Sequence, residues 1–482
     1  MNEERRNTMM DFSILVDGQL LNSEHKIKVE NPTTLQTAGT VPNFNAKELV
    51  KLAMESANNA FVDWQWTTIE EREKLLTKFK DLVLEHKEEL ADILVAEIAK
   101  SKKESLTEVV RTAEYIEETI KEYKKMMANP LIIDETVHGI KGKVGKFIRQ
   151  PLGVVLAISP FNYPINLLLS KLAPALISGN TVVYKPASQG SLIGARVSEL
   201  FYEAGFPKGV VNCVVGSGRE IGDLLVENEH VAMISFTGSA NVGNHIASKV
   251  SKIPLVLELG GKDPAIVLDD ADLELAASEI VKGGLSYNGQ RCTAIKRVFV
   301  SEKNHDELVR LIVEKTKKLT VGKPEDNTNI TPLISKKSAD YVMSLVEDAL
   351  KQGATSLLEM KREDNLLWPM IIDNVTLEMD LAWAEPFGPV LPIIKYNDLD
   401  ICIENSNKSE YGLQASVFTN NIKKAEEIAL KIEAGSVNIN RSSSRGPDIF
   451  PFSGVKNSGF GTQGIVDAIV SMTRVKGIVF NK

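Results

Sequence analysis

Residues 153–188 read GVVLAISPFNYPINLLLSKLAPALISGNTVVYKPAS. Two apolar runs, GVVLAI and NTVVYK, each lack the in–out alternation of a half-exposed strand. A helical segment lies between them. Strands buried on both faces and joined by helices belong to a parallel sheet covered on both sides. The pattern continues through GVVNCVV (209–215), VAMISF (231–236) and PLVLEL (254–259). A second alternating block begins at PAIVLDD (264–270) and includes IKRVFV, PMIID, VLPIIKY, ASVFT and GSVNIN. The expected fold class is α/β, with two doubly wound domains.

Upstream, the segments 46–64, 70–100 and 105–126 carry the 3.6-residue spacing of amphipathic helices. Residues 131–150 look like a β-rich arm that the last apolar run, RVKGIVF, rejoins. At 482 residues the chain exceeds one ordinary core, so several domains are expected. Charged residues make up 25% and the net charge is −8, with no basic run, which disfavours a nucleic-acid partner. Cys213, Cys292 and Cys402 are far apart, and the six histidines show no ligand spacing, so the expectation is a reducing compartment and no metal. The charged N-terminus and the lack of a long apolar stretch predict a cytoplasmic protein with no membrane span.

In open α/β sheets, ligands collect beyond the carboxyl ends of the strands. SPFNYP, KPAS, TGS and ELGG all follow predicted strands, which marks one binding edge. Within it, Asn162 reads as an oxyanion donor or a plain turn residue. Glu258 reads as a general base or as a strand-end carboxylate paired with Lys262. Cys292, in GQRCTA, reads either as a nucleophile whose thiolate Arg291 favours or as an inert buried thiol. The turn Thr237-Gly238-Ser239 can meet a pyrophosphate or serve as an ordinary βα turn. Lys185 can meet an adenosine ribose or its phosphate, or be solvated. Three residues on stands Ser188 rather than a carboxylate, which favours a 2′-phosphate.

Taken in order, SPFNYP, KPAS, FTGS, ELGGKDP, GQRCTA and EPFGPV resemble the aldehyde dehydrogenase superfamily, from about residue 30 to the C-terminus. EVVRTAE, NGQRCTAIKRV, SNKSEYGLQAS and SSSRGPDIFPF are similar to its non-phosphorylating glyceraldehyde-3-phosphate dehydrogenase branch. The resemblance implies residues 1–130 and 151–262 as the cofactor-binding domain and 263–442 as the catalytic domain. Segments 131–150 and 463–482 would form an oligomerisation arm building a homotetramer. It implies Cys292 as nucleophile, Glu258 as base and Asn162, with the Cys292 N–H, as oxyanion hole. Arg111, Arg291 and Arg445 would grip a substrate phosphate, with Tyr163 and Thr293 lining the pocket. Ser159, Pro160, Phe161, Lys185, Ser188, Asp223, Thr237, Gly238, Ser239, Glu385 and Phe387 would hold NADP, with NAD as the alternative cofactor. Ser217 stands where the branch would carry a basic residue, and Arg219 is the expected substitute. The activity implied is oxidation of glyceraldehyde 3-phosphate to 3-phosphoglycerate without inorganic phosphate. The competing substrate is another small aldehyde, such as lactaldehyde or a semialdehyde. From sequence alone, Arg111 lies off the apolar face formed by Val109, Ala113, Ile116 and Ile120.

Overall fold

The computed structural model describes residues 9–137 and 139–481. Residues 1–8, which open the charged N-terminus, lie outside it, as do His138 and Lys482. Four helices lead: α1 (Ala46–Trp64), α2 (Ile69–Glu85), α3 (Lys87–Ile98) and α4 (Lys102–Ala128). Asn45, Thr68 and Ser101 cap α1, α2 and α4 through side-chain oxygens, and Thr68 forms a capping box with Glu71. The helical segment expected over 70–100 is broken at His86, where α2 ends and α3 starts. Short strands at Met10–Asp11, Lys26–Glu30 and Thr37–Pro42 form a sheet that the sequence reading did not anticipate. Runs of two to six residues give too few repeats for periodicity to register.

The first large sheet has five parallel strands in the order Val211–Cys213, Thr181–Lys185, Val154–Ile158, Val231–Thr237 and Leu255–Glu258. Helices α5 (Asn166–Ile177), α6 (Ser191–Ala204), α7 (Gly218–Val226) and α8 (Ala240–Lys249) lie between them in sequence. Every residue of α5 is buried, Lys171 included. The chain order reverses between strands 154–158 and 231–237, which opens a crevice at their carboxyl ends. Gly459–Phe460 returns from the C-terminal part and pairs antiparallel with Leu257 and Glu258.

The second sheet has seven strands, six of them parallel, centred on Ile295–Ser301 and Asp263–Val267. Helix α9 (Leu273–Leu285) leads from it into the cysteine turn. A third sheet pairs Thr473–Asn481 with Lys143–Pro151, and the latter with Leu131–Ile133. Eight of the nine residues of the terminal strand are exposed, among them Val475, Val479 and Phe480.

The start of α6 is held by a buried carboxylate on α3. Glu97 accepts hydrogen bonds from the backbone N–H groups of Leu192 (2.7 Å) and Ile193 (3.0 Å). Burial pushes its carboxyl up to about 7, against the pull of those bonds. The folded protein therefore keeps this proton to higher pH than the unfolded chain does. Glu97's contribution is full below the unfolded carboxylate value of about 4.3 and is lost as pH rises through 7. Glu97→Gln should flatten this dependence: between about pH 5 and pH 8 the wild-type denaturation midpoint should fall further than the variant's. Chemical denaturation at the two pH values checks it.

Candidate active site

The crevice of the first sheet is a cavity of about 940 Å³. It is lined by Ser159, Pro160, Phe161, Asn162, Lys185, Asp223, Thr237, Gly238, Ser239, Cys292, Glu385 and Phe387 among others. The structure thus brings together nearly all the residues expected at the strand ends, with Cys292 and Glu385 arriving from the second sheet. Ser188 is exposed, and its neighbour Ala187 lines the cavity instead. Ser217 bonds to Glu220, whereas Arg219 reaches the wall. Asp223 also lines it, but its carboxylate is engaged by His245 (2.8 Å) and Lys249 (3.3 Å) of α8.

The cavity suits a phosphorylated dinucleotide on its own chemistry. Lys185 is buried with its Nζ on the Pro186 carbonyl at 3.0 Å, and burial pushes it down to about 8. A buried cation without a carboxylate partner favours an anionic ligand. Ser159 Oγ is a buried hydroxyl with no hydrogen-bond partner among the described residues. Gly260 lies against the Glu385 carboxylate, which would have to shift to admit a Cβ there. Phe387 adopts a left-handed φ of 49° and meets Phe161 edge-on at 5.9 Å.

Cys292 follows a turn in which Tyr287, Asn288 and Gly289 have φ of 47°, 57° and 68°. Left-handed backbone costs about 1–2 kcal/mol per non-glycine residue, so neighbours must enforce it. Tyr287 OH donates to the Ile98 carbonyl at 3.3 Å. Asn288 exchanges two bonds with Thr331, at 3.0 and 2.7 Å. Gly289 packs on the Gly388 carbonyl, where a Cβ would not fit. Gln290 accepts the Ile334 N–H at 2.9 Å through its side chain and the Asn162 Nδ2 at 3.0 Å through its carbonyl. The Asn162 amide and the cysteine turn are therefore tied directly together.

Glu258 is the meeting point. Its Oε1 stands 3.8 Å from Cys292 Sγ. Its Oε2 accepts from Thr237 Oγ1 at 3.1 Å and from Arg445 Nη1 at 3.2 Å. Thr237 in turn accepts from buried Lys171 at 2.6 Å, and burial lowers Lys171 to about 8. The alternative pairing of Glu258 with Lys262 does not occur: Lys262 Nζ is buried without a partner among the described residues. Lys171 was missed in the sequence, although a lysine inside the apolar run INLLLSKLAPALI was a signal.

One expectation is corrected. Arg291 does not support a thiolate, because its guanidinium turns away and donates to the Gly283 carbonyl at 2.6 Å. Burial first, then the Glu258 carboxylate, push the Cys292 thiol up to about 12, while Lys296 pulls it down.

Arg111 and Arg445 converge. Arg111 on α4 makes a bidentate pair with Asp448, at 2.8 and 2.7 Å, and Arg445 Nε lies 4.0 Å from the same carboxylate. Arg445 Nη2 and Arg291 Nε are buried donors with no partner among the described residues. Arg111 and Tyr163 line a second cavity of about 590 Å³, whereas the preceding Asn162 lines the first. Thr293 is buried, its carbonyl accepting from Ser443 at 2.8 Å. Asp448 was not anticipated, though it stands three residues beyond Arg445.

Behind the site, Lys100 Nζ donates to Glu108 (2.5 Å) and to the Asn162 carbonyl (2.7 Å), beneath the rings of Tyr163 and Tyr287. Glu108 accepts from the N–H groups of Ile165 (3.2 Å) and Asn166 (3.1 Å). Lysine and glutamate together fix the loop that carries Asn162.

Comparison with known proteins bears on this arrangement. The model of the aldehyde dehydrogenase family matches residues 20–478. The NADP-dependent glyceraldehyde-3-phosphate dehydrogenase of Streptococcus equinus is 49% identical, over 97% of this chain and 98% of that one. The enzyme of the same name from Arabidopsis thaliana is 46% identical, over 98% and 95%. The crystal structure of the NADP-dependent glyceraldehyde-3-phosphate dehydrogenase from Bacillus halodurans C-125, complexed with NADP, is 48% identical. It matches with a TM-score of 0.95 over 98% of this chain and 99% of that one.

Breaking the Lys100–Glu108 pair should be costly, since both side chains are 1% exposed. Lys100→Met strands a buried carboxylate and should cost about 3–5 kcal/mol. Equilibrium denaturation measures that loss.

Proposed function

The chain belongs to the aldehyde dehydrogenase family, and from that premise we propose that it oxidises D-glyceraldehyde 3-phosphate to 3-phosphoglycerate with NADP. The substrate class is an aldehyde, as the family implies. The observation that carries the choice of substrate is the arginine cluster. Arg111 and Arg445 share Asp448, and Arg445 and Arg291 keep buried, unpartnered donors. Guanidinium groups suit a phosphate dianion, and an uncharged small aldehyde would offer the free Arg445 Nη2 and Arg291 Nε donors no anionic partner.

In this reading Ser159, Pro160, Phe161, Lys185, Ser188, Asp223, the turn 237–239, Glu385 and Phe387 hold NADP. When bound, NADP supplies the hydride acceptor. Cys292 Sγ forms a bond to the aldehyde carbon as its proton passes to Glu258 Oε1, 3.8 Å away. The Asn162 amide and the Cys292 N–H receive the negative charge that develops on the carbonyl oxygen. Loss of hydride from the carbon leaves a thioester on Cys292. Glu258 passes the thiol proton on to solvent and, ionised again, takes a proton from a water whose oxygen attacks the thioester; the carbon–sulfur bond breaks to release the acid and the Cys292 thiolate. Thr237 and Arg445 hold Oε2, which leaves Oε1 directed at the chemistry. Tyr163 and Thr293 shape the substrate pocket. Inorganic phosphate takes no part.

We assign residues 1–130 and 151–262 to cofactor binding, 263–442 to catalysis, and 131–150 with 463–482 to an oligomerisation arm. The exposed apolar side chains of the terminal strand support a homotetramer built through that arm, since a free strand edge invites pairing with another copy. None of the described helices is long and apolar enough to cross a membrane. The reading places the enzyme in the cytoplasm, where a reducing milieu preserves a reactive thiol.

The direct assay gives the purified protein glyceraldehyde 3-phosphate and either NADP or NAD, without inorganic phosphate, and follows reduced cofactor and product. The expected product is 3-phosphoglycerate, with NADP preferred. Cys292→Ala should abolish turnover. Arg111→Leu should raise KM for the phosphorylated substrate about tenfold or more, the worth of one charge-assisted contact. An unchanged KM for glyceraldehyde 3-phosphate in the Arg111 variant, or a higher kcat/KM of the wild type for lactaldehyde than for glyceraldehyde 3-phosphate, would overturn the choice of substrate.

A further inference from the structure

Cys292 sits among charges that mostly oppose its ionisation. Glu258 faces it from the end of strand 255–258, at 3.8 Å. Glu385 and Asp263 add negative potential from the second sheet. The nearby cations are largely committed elsewhere. Arg291 donates to Gly283, Lys171 to Thr237, and Arg445 to Glu258. Lys296 is the exception. It stands at the start of strand 295–301 and is 2% exposed, and its Nζ reaches back to the Cys292 carbonyl at 2.6 Å. The same ammonium pairs with Glu385 Oε1 at 3.0 Å, an oxygen that also accepts the Gly261 N–H at 3.1 Å.

We propose that Lys296 is the positioning residue of the nucleophile: it fixes the Cys292 turn through its backbone carbonyl, supplies the buried cation that favours the thiolate, and joins that turn to the carboxylate of the cofactor cavity. Two observations carry this independently. The hydrogen bond is to the peptide of the reacting residue itself, so moving Lys296 moves the sulfur. The ion pair is to Glu385, whose carboxylate lines the neighbouring cavity. Any ligand group that hydrogen-bonds to Glu385 spreads its negative charge and leaves the ammonium less compensated, and the thiolate gains. Lys296 thus takes the part that the adjacent Arg291 is expected to play from sequence. The inference rests on the reading of Cys292 as the reacting atom, but its test does not require turnover.

The test is the rate at which iodoacetamide alkylates Cys292 in the full-length protein at about pH 8, with the label located by peptide mapping, since only the thiolate reacts. Well below the thiol midpoint, that rate falls about tenfold for each unit the midpoint rises. Lys296→Met should alkylate at least about fivefold more slowly than wild type, and Lys296→Arg should recover part of the loss. Glu385→Gln should alkylate faster, because it removes the opposing charge. Unfolding cannot imitate the first result, since a released thiol returns to about 8.5 and reacts faster. An unchanged or faster rate in Lys296→Met would overturn the proposal. If wild type fails to oxidise glyceraldehyde 3-phosphate while Lys296→Met still slows labelling, the proposed substrate fails and the role of Lys296 stands.

Discussion

The site is organised around one buried carboxylate. Glu258 ends a strand of the first sheet, is 4% exposed, and receives contacts from three separate parts of the chain. Thr237 comes from the neighbouring strand, Arg445 from the C-terminal segment, and Cys292 from the second sheet. A buried charge is tolerable only when hydrogen-bonded or paired. Here the groups that satisfy it include those to which the proposed chemistry falls. The contacts of Glu258 link the two sheets at the place where Cys292 and Thr237 meet it. The antiparallel pairing of Gly459 with Glu258 closes the same strand end from the other side.

Much of this was legible in the sequence, and the rest was hidden for identifiable reasons. The parallel strands declare themselves because burial on both faces leaves no alternation, and the polar turns after them mark the crevice. Arg111 could not be read correctly from α4 alone. Its half-burial comes from Asp448, 337 residues away, which no helical periodicity encodes. The surroundings of Cys292 misled for the opposite reason. The nearest cation in sequence, Arg291, turns toward Gly283, while Lys296, four positions on, folds back. Adjacency along a strained turn says little about direction. The short N-terminal strands escaped because their partners, rather than their own pattern, define them.

The arginine cluster carries its own compensation for the positive charge it concentrates. Asp448 occupies the fork of Arg111 and lies near Arg445, so the chain carries its own provisional counter-ion. In the proposed reading, a phosphate entering there would exchange one anionic partner for another rather than fill a bare cationic hollow. The discrimination gained is a difference between two charge-assisted arrangements, which is smaller than the gross strength of either.

Residues 97–101 span the end of α3 and its connection to α4, and each of the first four grips a different part of the chain. Glu97 holds the start of α6, the Ile98 carbonyl holds Tyr287, the Ala99 carbonyl holds Thr331, and Lys100 holds Asn162. This short stretch acts as a common mounting bracket for the start of α6, the Cys292 turn and the loop that carries Asn162. If the segment after Lys185 sets cofactor preference, as proposed, redesigning it pulls on Cys292 and Asn162 through this bracket, and libraries that spare 97–101 are the ones in which selectivity can be altered without disturbing them.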